Sequence, residues 1–469
     1  MSALWTVKSS TNSLRPTGEG VPLSPPACPT KMVLQQQRQA RQVRLEVLNK
    51  RLKAEEAKAR VEKFITRRAQ EFTAKIVFLV AELFPNLAMP SSPLVKLIGF
   101  GSYNKVFSIT IEQPVPHASS GDSLAGAMSR LFRAPSRPLL VEYALRVPKC
   151  SLNLSDEARN LARLKVVGAR ATFPVPKVLA YDHSADNVLG LPYVLQERLH
   201  GNDLAHTWEI LNSDQKTSLI PQLCKIIEQM ANITSPAAGE ISLENLTCSS
   251  DEAIKITQFP VPNEVAAASD QEAADANNIP SPIQTPLEYL QDHCRRWYNY
   301  ERAKGLRNRL KIWSQFQVIA RSLDRLGFLG DCFHLSHGDF FARNIMVAVK
   351  NSTTAEITGI LDWDMCVFAP KFVVLTAPYW AWPGLDSCTW SEDNTDDRYS
   401  MMLQDAFKDV ASPELLRFAM SDECVLANLL WKSLVTGTQI PEQQVEAARL
   451  IRDWALIHPE DKDELENCC

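Results

Sequence analysis

The sequence predicts an α+β protein in which a β-rich segment precedes a mainly helical one. Short apolar runs separated by turn residues fill residues 94–200, and helical patterns dominate beyond Gly201. The chain has 469 residues, of which 45% are hydrophobic and 22% charged, and its net charge is −4. These values are typical of a globular protein, and they exclude a chain that is strongly basic throughout, as many nucleic-acid-binding proteins are.

The N-terminal part of the sequence differs from the rest in composition. Residues 1–30 are rich in Ser, Thr, Pro and Gly, which predicts a disordered tail. Residues 31–84 contain neither Gly nor Pro and predict a basic helical arm, with 12 Lys and Arg against 4 Asp and Glu in Lys31–Gln70. A solvated helix and a surface for RNA, anionic lipid or a protein partner both remain open for this arm. The apolar stripe Phe72–Leu83 predicts that its second half docks on a core.

The β-rich segment is predicted to hold five strands and one helix. A loop rich in Ser, Gly and Pro is expected as an insertion at about residues 113–138. The predicted strands and the helix are Leu94–Ile98, Val106–Ile111, Leu139–Val147, the helix Ser155–Val166, Val178–Tyr181 and Tyr193–Gln196.

The segment 201–469 is predicted to be helical, with an insertion at about residues 234–286. Two short strands are expected within it, at Ile345–Val349 and Ile357–Leu361. The predicted helical stretches around them are Leu287–Leu326, Tyr399–Ala411, Pro413–Met420 and Glu442–Leu456.

The 11 cysteines are irregularly spaced and include no C-x-x-C pair, so we expect reduced thiols rather than disulfides or a zinc site. Met1–Ser10 lacks a continuous apolar stretch behind a basic start, so we expect no secretory signal peptide. The longest apolar run, near Ile76–Val80, is far shorter than the ~20 residues of a membrane span. We therefore expect a cytoplasmic protein.

A glycine-rich turn stands between the first two predicted strands. Gly99, Gly101 and Ser102 lie at its tip, followed by Asn104. Glycine lets a backbone approach a ligand closely, and successive N–H groups in such a turn can bind phosphate oxygens. Because the turn joins strand to strand, it does not fit a dinucleotide fingerprint, and an ordinary glycine hairpin remains the alternative.

A cation and an acid follow on neighbouring elements. Arg146 lies on the third predicted strand and Glu157 in the first turn of the following helix. A cation beside a phosphate-binding loop can hold phosphate oxygens, and an acid can position the cation. A surface arginine and an acid that is simply favoured at a helix N-terminus are the alternative.

The most specific pattern is H-G-D-x-x-x-x-N, formed by His337, Gly338, Asp339 and Asn344, which leads into an apolar strand. Eighteen residues after Asn344, Asp362 follows the next apolar strand in the sequence L-D-W-D. One carboxylate that orients a hydroxyl, with an amide and a second carboxylate as ligands for Mg²⁺, is an arrangement suited to phosphoryl transfer.

Taken in order, the glycine-rich hairpin, the strand arginine, the helix glutamate and the two catalytic-segment motifs resemble the aminoglycoside phosphotransferase and choline kinase family. The similarity is greatest to its large fungal branch, through F-F-A-R-N-I-M-V and the later A-P-Y-W-A-W. The resemblance implies a protein-kinase-like two-lobed fold. Its N-lobe would be the β-rich segment 85–200, and its helical C-lobe, with the catalytic loop, would be 201–469.

The resemblance also implies roles for individual residues. Asp339 would be the catalytic base, and His337 would brace its loop. Asn344 and Asp362 would bind Mg²⁺. The ATP site would comprise Gly99, Gly101, Ser102, Arg146, its partner Glu157, and a hinge with the residues Gln196, Glu197 and Arg198.

The sequence departs from the protein-kinase pattern at three places, and the first is Asn104, which stands where the protein-kinase loop has its third glycine. Arg146 stands where kinases place a lysine, and it keeps the charge but changes its shape. Trp363 and Asp364 follow the metal-binding aspartate, as in the phosphotransferase branch, and argue against a regulated protein kinase.

The sequence thus predicts ATP- and Mg²⁺-dependent transfer of the γ-phosphate to a hydroxyl or amine of a small molecule. The alternatives are an inactive pseudokinase scaffold and an atypical protein kinase. We expect no nucleic-acid partner. An acidic stretch that includes Asp386, Glu392 and Asp393 could hold a cationic acceptor or be a solvated loop. The cluster Trp380, Trp382 and Trp390 could line a pocket or pack in the helical lobe.

Overall fold

The computed structural model describes residues 70–85, 92–101, 103–113, 139–149, 154–248, 252–261, 278–382 and 397–468. The chain divides after Glu71, and the unit described below is Phe72–Cys469. The basic segment 31–69 and most of the predicted insertion 113–138 lie outside the described residues, as does the acidic stretch at 386–396.

The β-rich lobe is one antiparallel sheet with the strand order β1-β2-β3-β5-β4. The β2–β3 pairing is the longest and runs from Asn104 opposite Pro148 to Gln113 opposite Leu139. The strands are β1 (Leu94–Phe100), β2 (Asn104–Gln113), β3 (Leu139–Pro148), β4 (Val178–Asp182) and β5 (Tyr193–Glu197).

Helix α1 (residues 70–83) lies on this sheet through its apolar stripe. Ile76, Leu79 and Val80 are buried with the inward-facing residues of β2 and β3. The Phe72 and Phe107 rings stack with their centroids 5.6 Å apart. A helix face with apolar residues three and four positions apart therefore closes one side of the sheet.

Helix α2 (Leu154–Arg170) connects β3 to β4 but packs in the larger core of the helical lobe. Leu161, Ala162 and Val167 are buried in that core, and Arg163 pairs with Glu240 at 2.8 Å. The helix thus couples the sheet to the lobe that carries the catalytic segment.

The helical lobe begins several of its helices with side-chain caps. Asn212 and Thr285 form capping boxes with the residues three positions later, which satisfies backbone donors at the helix start. The helices are α3 (Leu204–Thr207), α4 (Ser213–Ala231), α5 (Pro286–Ala303), α6 (Leu310–Arg325), α7 (Lys371–Val374), α8 (Asp397–Val410), α9 (Pro413–Ala419), α10 (Asp422–Thr436), α11 (Pro441–Ile457) and α12 (Lys462–Asn467). A β-rich lobe followed by a helical lobe confirms the predicted α+β class.

Two small sheets flank the predicted catalytic loop and the L-D-W-D turn. One has the order β12-β11-β6 and the other β7-β10-β13-β8-β9. Their strands are β6 (Asn202–Asp203), β7 (Thr234–Ser235), β8 (Gly239–Ile241), β9 (Ile256–Thr257), β10 (Phe333–Ser336), β11 (Ile345–Val349), β12 (Ala355–Ile360) and β13 (Val367–Ala369). The predicted insertion at 234–286 contains β7, β8 and β9, which are too short to show a periodic pattern.

None of the described helices is both long and apolar enough to cross a membrane. The seven cysteines among the described residues are all free thiols.

Gly201 follows the connection between the lobes and approaches β11 closely. Its φ is +95°, and a Cβ there would overlap the carbonyl oxygen of Val347. We expect Gly201→Ala to lower the free energy of unfolding by at least about 3 kcal/mol. The strain of a positive φ and the steric overlap of the new Cβ with the Val347 backbone both contribute to this loss. The check is the midpoint of urea denaturation.

The matched control is Gly305→Ala. Gly305 has a similar φ of +75°, but nothing lies within 4 Å of the added Cβ. It should cost only about 1 kcal/mol, the price of the left-handed conformation alone. Equal losses for the two variants would contradict the close approach at Gly201.

Candidate active site

The glycine-rich turn joins β1 to β2. Gly99 lies opposite Val106, next to an irregularity in the strand register, and Gly101 is exposed. The Gly101 N–H donates to the carbonyl oxygen of Asn104 at 3.0 Å, which closes the turn. Ser102 lies outside the described residues. The turn therefore presents exposed glycine backbone at the tip of a hairpin, as the sequence predicts.

Arg146 lies near the end of β3 and binds the L-D-W-D segment. Its guanidinium donates to both carboxylate oxygens of Asp364, at 2.8 Å for Nη1 and Oδ1. Nη1 also lies 3.9 Å from Oδ1 of Asp362. With its amide oxygen turned toward Arg146, Asn104 accepts from Nε at 3.0 Å and from Nη2 at 2.7 Å. The side chain of Arg146 thus joins strand β3 to the glycine-rich hairpin and to the L-D-W-D segment.

The charges around Arg146 keep it firmly protonated. Burial alone would lower the pKa of Arg146, but the carboxylates of Asp364, Asp362 and Glu157 together raise it above its usual value. A bidentate pair with a carboxylate is the geometry that arginine favours.

Glu157 is not the acid that binds Arg146. Among the described residues, the carboxylates within 4.0 Å of the guanidinium belong to Asp364 and Asp362. Burial raises the pKa of Glu157, the charge of Arg146 opposes this, and Asp364 adds to it. Glu157 therefore acts on Arg146 through space, and Asp364 is the ion-pair partner in place of Glu157.

The predicted catalytic loop, His337–Asn344, follows β10 and is closed by its own side chains. The Nδ2 atom of Asn344 donates to the backbone oxygen of Asp339 at 2.9 Å and to its Oδ2 at 2.8 Å. Arg343 donates to the other carboxylate oxygen, Oδ1. The side-chain nitrogen of Asn344 is thus bound to Asp339. The side-chain oxygen, Oδ1, is therefore the atom left to bind a cation.

His337 braces this loop as an uncharged side chain. It is 1% exposed, and burial lowers its pKa to about 4. Its Nε2 lies 2.8 Å from the carbonyl oxygen of Leu361, and its Nδ1 lies 3.3 Å from the Asp339 N–H. A neutral ring satisfies both contacts when Nε2 donates and Nδ1 accepts. His337 thereby links the catalytic loop to the L-D-W-D segment.

Asp362 is held in an unusual backbone conformation. Its φ is +61°, and no other non-glycine residue in the described ranges has a positive φ. Aspartate tolerates the left-handed region better than most residues, but the conformation still costs energy. Trp363, the next residue, is buried. Its ring centroid lies 4.4 Å from that of His337 and 5.7 Å from that of Phe173. The buried tryptophan fixes the turn, and the turn presents the carboxylate.

The carboxylate of Asp362 is half-exposed and lies in an acidic setting. Burial raises its pKa, Asp364 raises it further, and Arg146 opposes the change. Binding of a cation would relieve this repulsion.

The pairing of β11 with β12 brings Asn344 and Asp362 to the same end of a hairpin. Ile345 pairs with Ile360, and the Leu361 N–H donates to the Asn344 carbonyl at 2.7 Å. An amide oxygen and a carboxylate are hard oxygen ligands of the kind that Mg²⁺ prefers. The donor set at the end of this hairpin therefore fits Mg²⁺.

The predicted hinge residues follow the course of β5. The N–H of Glu197 donates to the Lys177 oxygen at 2.9 Å, and that of Arg198 to the Glu142 oxygen at 3.4 Å. The sheet thus already uses the backbone donors of Glu197 and Arg198. Within the described part of the chain, the N–H of Leu199 makes no backbone hydrogen bond of this kind.

The predicted residues form two groups in the structure. Arg146, Asp339, Asn344 and Asp362 lie around the L-D-W-D segment. Gly99 and Gln196 lie in β1 and β5, and Gly101 lies in the turn after β1. The structural roles of Asn104, Asp364 and Arg343 were not predicted from the sequence. Only the position of Asp364 in L-D-W-D and that of Arg343 next to Asn344 could have marked them.

A comparison with protein families identifies the family of this chain. The sequence model of the phosphotransferase enzyme family, APH, matches residues 131–373, just over half of the chain. The chain belongs to the phosphotransferase enzyme family. Membership confirms the resemblance stated above and, together with the two lobes described, the protein-kinase-like fold.

Several solved phosphotransferases are similar to this chain. A thermostable mutant of aminoglycoside phosphotransferase APH(4)-Ia, in ternary complex with AMP-PNP and hygromycin B, is 14% identical with a TM-score of 0.41, and the alignment covers 81% of this chain and 99% of that one. The GDP and kanamycin complex of APH(2″)-IIIa is 14% identical with a TM-score of 0.36, covering 81% and 97%.

Curated relatives match a shorter stretch. Subtelomeric hrmA-associated cluster proteins of two Aspergillus fumigatus strains are 29% identical over 84 residues. The match covers 18% of this chain and only 16% of the length of each relative.

The neutral state of His337 predicts a pH dependence of stability. The unfolded imidazole takes up a proton near pH 6.5, whereas folded His337 does so only near pH 4. Its contribution is therefore fully present above pH 6.5 and is lost as the pH falls toward 4, by as much as about 3 kcal/mol.

The test compares wild type with His337→Gln, which keeps a donor for the Leu361 carbonyl but does not titrate. The free energy of unfolding, measured by urea denaturation from pH 7.5 to 4.5, should fall more steeply for wild type. Parallel pH profiles would show that His337 is not a buried neutral imidazole.

Proposed function

We propose that this chain is an ATP- and Mg²⁺-dependent kinase that transfers the γ-phosphate to a hydroxyl or amine of a small molecule. The observation that carries this proposal is the convergence of Asp339, Asn344 and Asp362 at the end of the β11–β12 hairpin, next to Arg146. Membership in the phosphotransferase family supports the reaction class.

The roles follow from the chemistry of each side chain. Asp339 is a carboxylate on an accessible loop and would accept the acceptor proton. Asn344 and Asp362 supply oxygen ligands, and Mg²⁺ bound to them would offset phosphate charge. Arg146 lies beside this donor set and would attract phosphate oxygens while it stays paired with Asp364.

The proposed reaction is a simple displacement at phosphorus. The acceptor oxygen or nitrogen forms a bond to the γ-phosphorus, and the bond from that phosphorus to the β–γ bridging oxygen breaks. ADP leaves, and the acceptor proton passes to Asp339. Catalysis in this class comes chiefly from positioning and from neutralising charge.

Removal of the proposed base tests the transfer step. We expect Asp339→Asn to lower acceptor-dependent ADP formation by a factor of about 10² to 10⁴, because it cannot take up the proton. The assay is ATP consumption over a panel of amino sugars, choline, sugars and alcohols. Full activity in Asp339→Asn would contradict the role of Asp339 as the base.

Nucleotide binding separates an enzyme from an inactive scaffold. Mg²⁺ with ATP or GTP should raise the thermal unfolding midpoint of wild type, and Asp362→Ala should lose the Mg²⁺-dependent part of the shift. Asp186→Ala, at an exposed aspartate on the β4–β5 connection, is the control and should keep the shift. Absence of any shift at millimolar nucleotide would favour the pseudokinase scaffold.

A further inference from the structure

A cavity of about 530 Å³ lies beside the catalytic loop. His337, Gly338, Phe340 and Phe341, which flank Asp339 on both sides, form one part of its wall. Val425 on α10 also lines the cavity. The cavity therefore begins at the loop that holds the proposed base and extends into the helical lobe.

The walls of this cavity are largely aromatic and aliphatic. Its aromatic residues are Phe340, Phe341, Tyr379, Trp380, Phe418 and Trp431. Such rings favour flat apolar ligands by burying area and by stacking.

Most polar groups in the wall are already bonded within the protein. The Trp380 indole N–H donates to the Phe340 oxygen at 3.0 Å, and the Tyr379 hydroxyl donates to the Ala419 oxygen at 2.5 Å. The Asn428 amide donates to the carbonyl oxygens of Phe372 and Cys424, at 3.1 and 2.9 Å. A ligand thus finds few free polar partners in the wall.

The described wall also offers no carboxylate that would compensate several positive charges. None of the described residues that line it is Asp or Glu, and its one permanently charged side chain is Lys432. Lys432 is itself bound by Glu446 at 2.8 Å. Burial raises the pKa of the lining thiol, Cys424, to about 11, so it is neutral as well. Transfer of several ammonium groups into such a site is unfavourable.

We propose that the acceptor of this kinase is an alcohol with a neutral, aromatic or alicyclic body that fills this cavity and places its hydroxyl at Asp339. Polycationic amino sugars are then poor acceptors. The inference rests on the proposed function and deepens it by specifying the class of acceptor.

Two probes of opposite character test the inference. With Mg²⁺ and AMP-PNP present, 2-naphthaleneethanol should raise the thermal unfolding midpoint further, and kanamycin should not. With ATP, the naphthyl alcohol should accelerate ADP formation at least tenfold over the acceptor-free rate. No binding of the alcohol, or a larger kcat/KM for kanamycin, would overturn the proposal.

Substitutions locate the binding of the alcohol. Val425→Trp fills the cavity and should raise the KM for 2-naphthaleneethanol at least tenfold. Val445→Trp is the matched control, because Val445 is 70% exposed on α11, and it should leave the KM unchanged. Val425→Phe serves if Val425→Trp does not fold. Equal KM values for the Val425 and Val445 variants would overturn the assignment of the cavity.

The nucleotide shift distinguishes the two levels of failure. If wild type shows no thermal shift with Mg²⁺ and nucleotide, the proposed kinase function fails. If the shift is present but only kanamycin is phosphorylated, the kinase function stands and the acceptor class is wrong.

Discussion

The ion pair between Arg146 and Asp364 joins two segments that lie 218 residues apart in the sequence. It links the central strand of the β-rich lobe to the turn after β12, and both side chains are largely buried. Loss of one partner would leave the other charged and buried, which typically costs about 3–5 kcal/mol. Because the turn that pairs with Arg146 also carries Asp362, the strand cation and the proposed metal ligand share one electrostatic unit.

A second set of contacts makes that unit rigid. The neutral ring of His337 bridges the catalytic loop and the L-D-W-D segment, and Trp363 packs on the same ring. Gly338 has a φ of +75° and passes so close to Met365 that a Cβ would overlap its carbonyl oxygen. Uncharged packing thus holds two acidic segments together although Asp339, Asp362 and Asp364 repel one another.

The sequence contained enough information for the local motifs but not for their partners. The H-G-D-x-x-x-x-N loop and the L-D-W-D turn are specified by consecutive residues, and the apolar runs beside them predicted the β11–β12 hairpin. The choice between Glu157 and Asp364 as partner of Arg146 depends on how α2 and the distant turn pack, which spacing does not encode. Strands β7 to β9 were missed because two or three residues show no period. The cavity was not predicted, since its wall combines side chains from distant helices, although Trp380 stood among the candidates.

In the predicted catalytic loop, the charged residues and the residues that line the cavity make separate contacts. Asp339 and Arg343 bind each other, and Asp339 also binds Asn344, whereas Phe340 and Phe341 turn to an apolar cavity. Residues that would take part in phosphoryl transfer and residues that would select the acceptor are therefore neighbours in sequence but belong to different physical environments. None of the described residues that line the cavity is a carboxylate. Substitution of a lining residue can therefore change which molecule fits the cavity without altering the charges around Asp339. In this arrangement, the reaction class of the family and an acceptor particular to this chain are compatible within one fold.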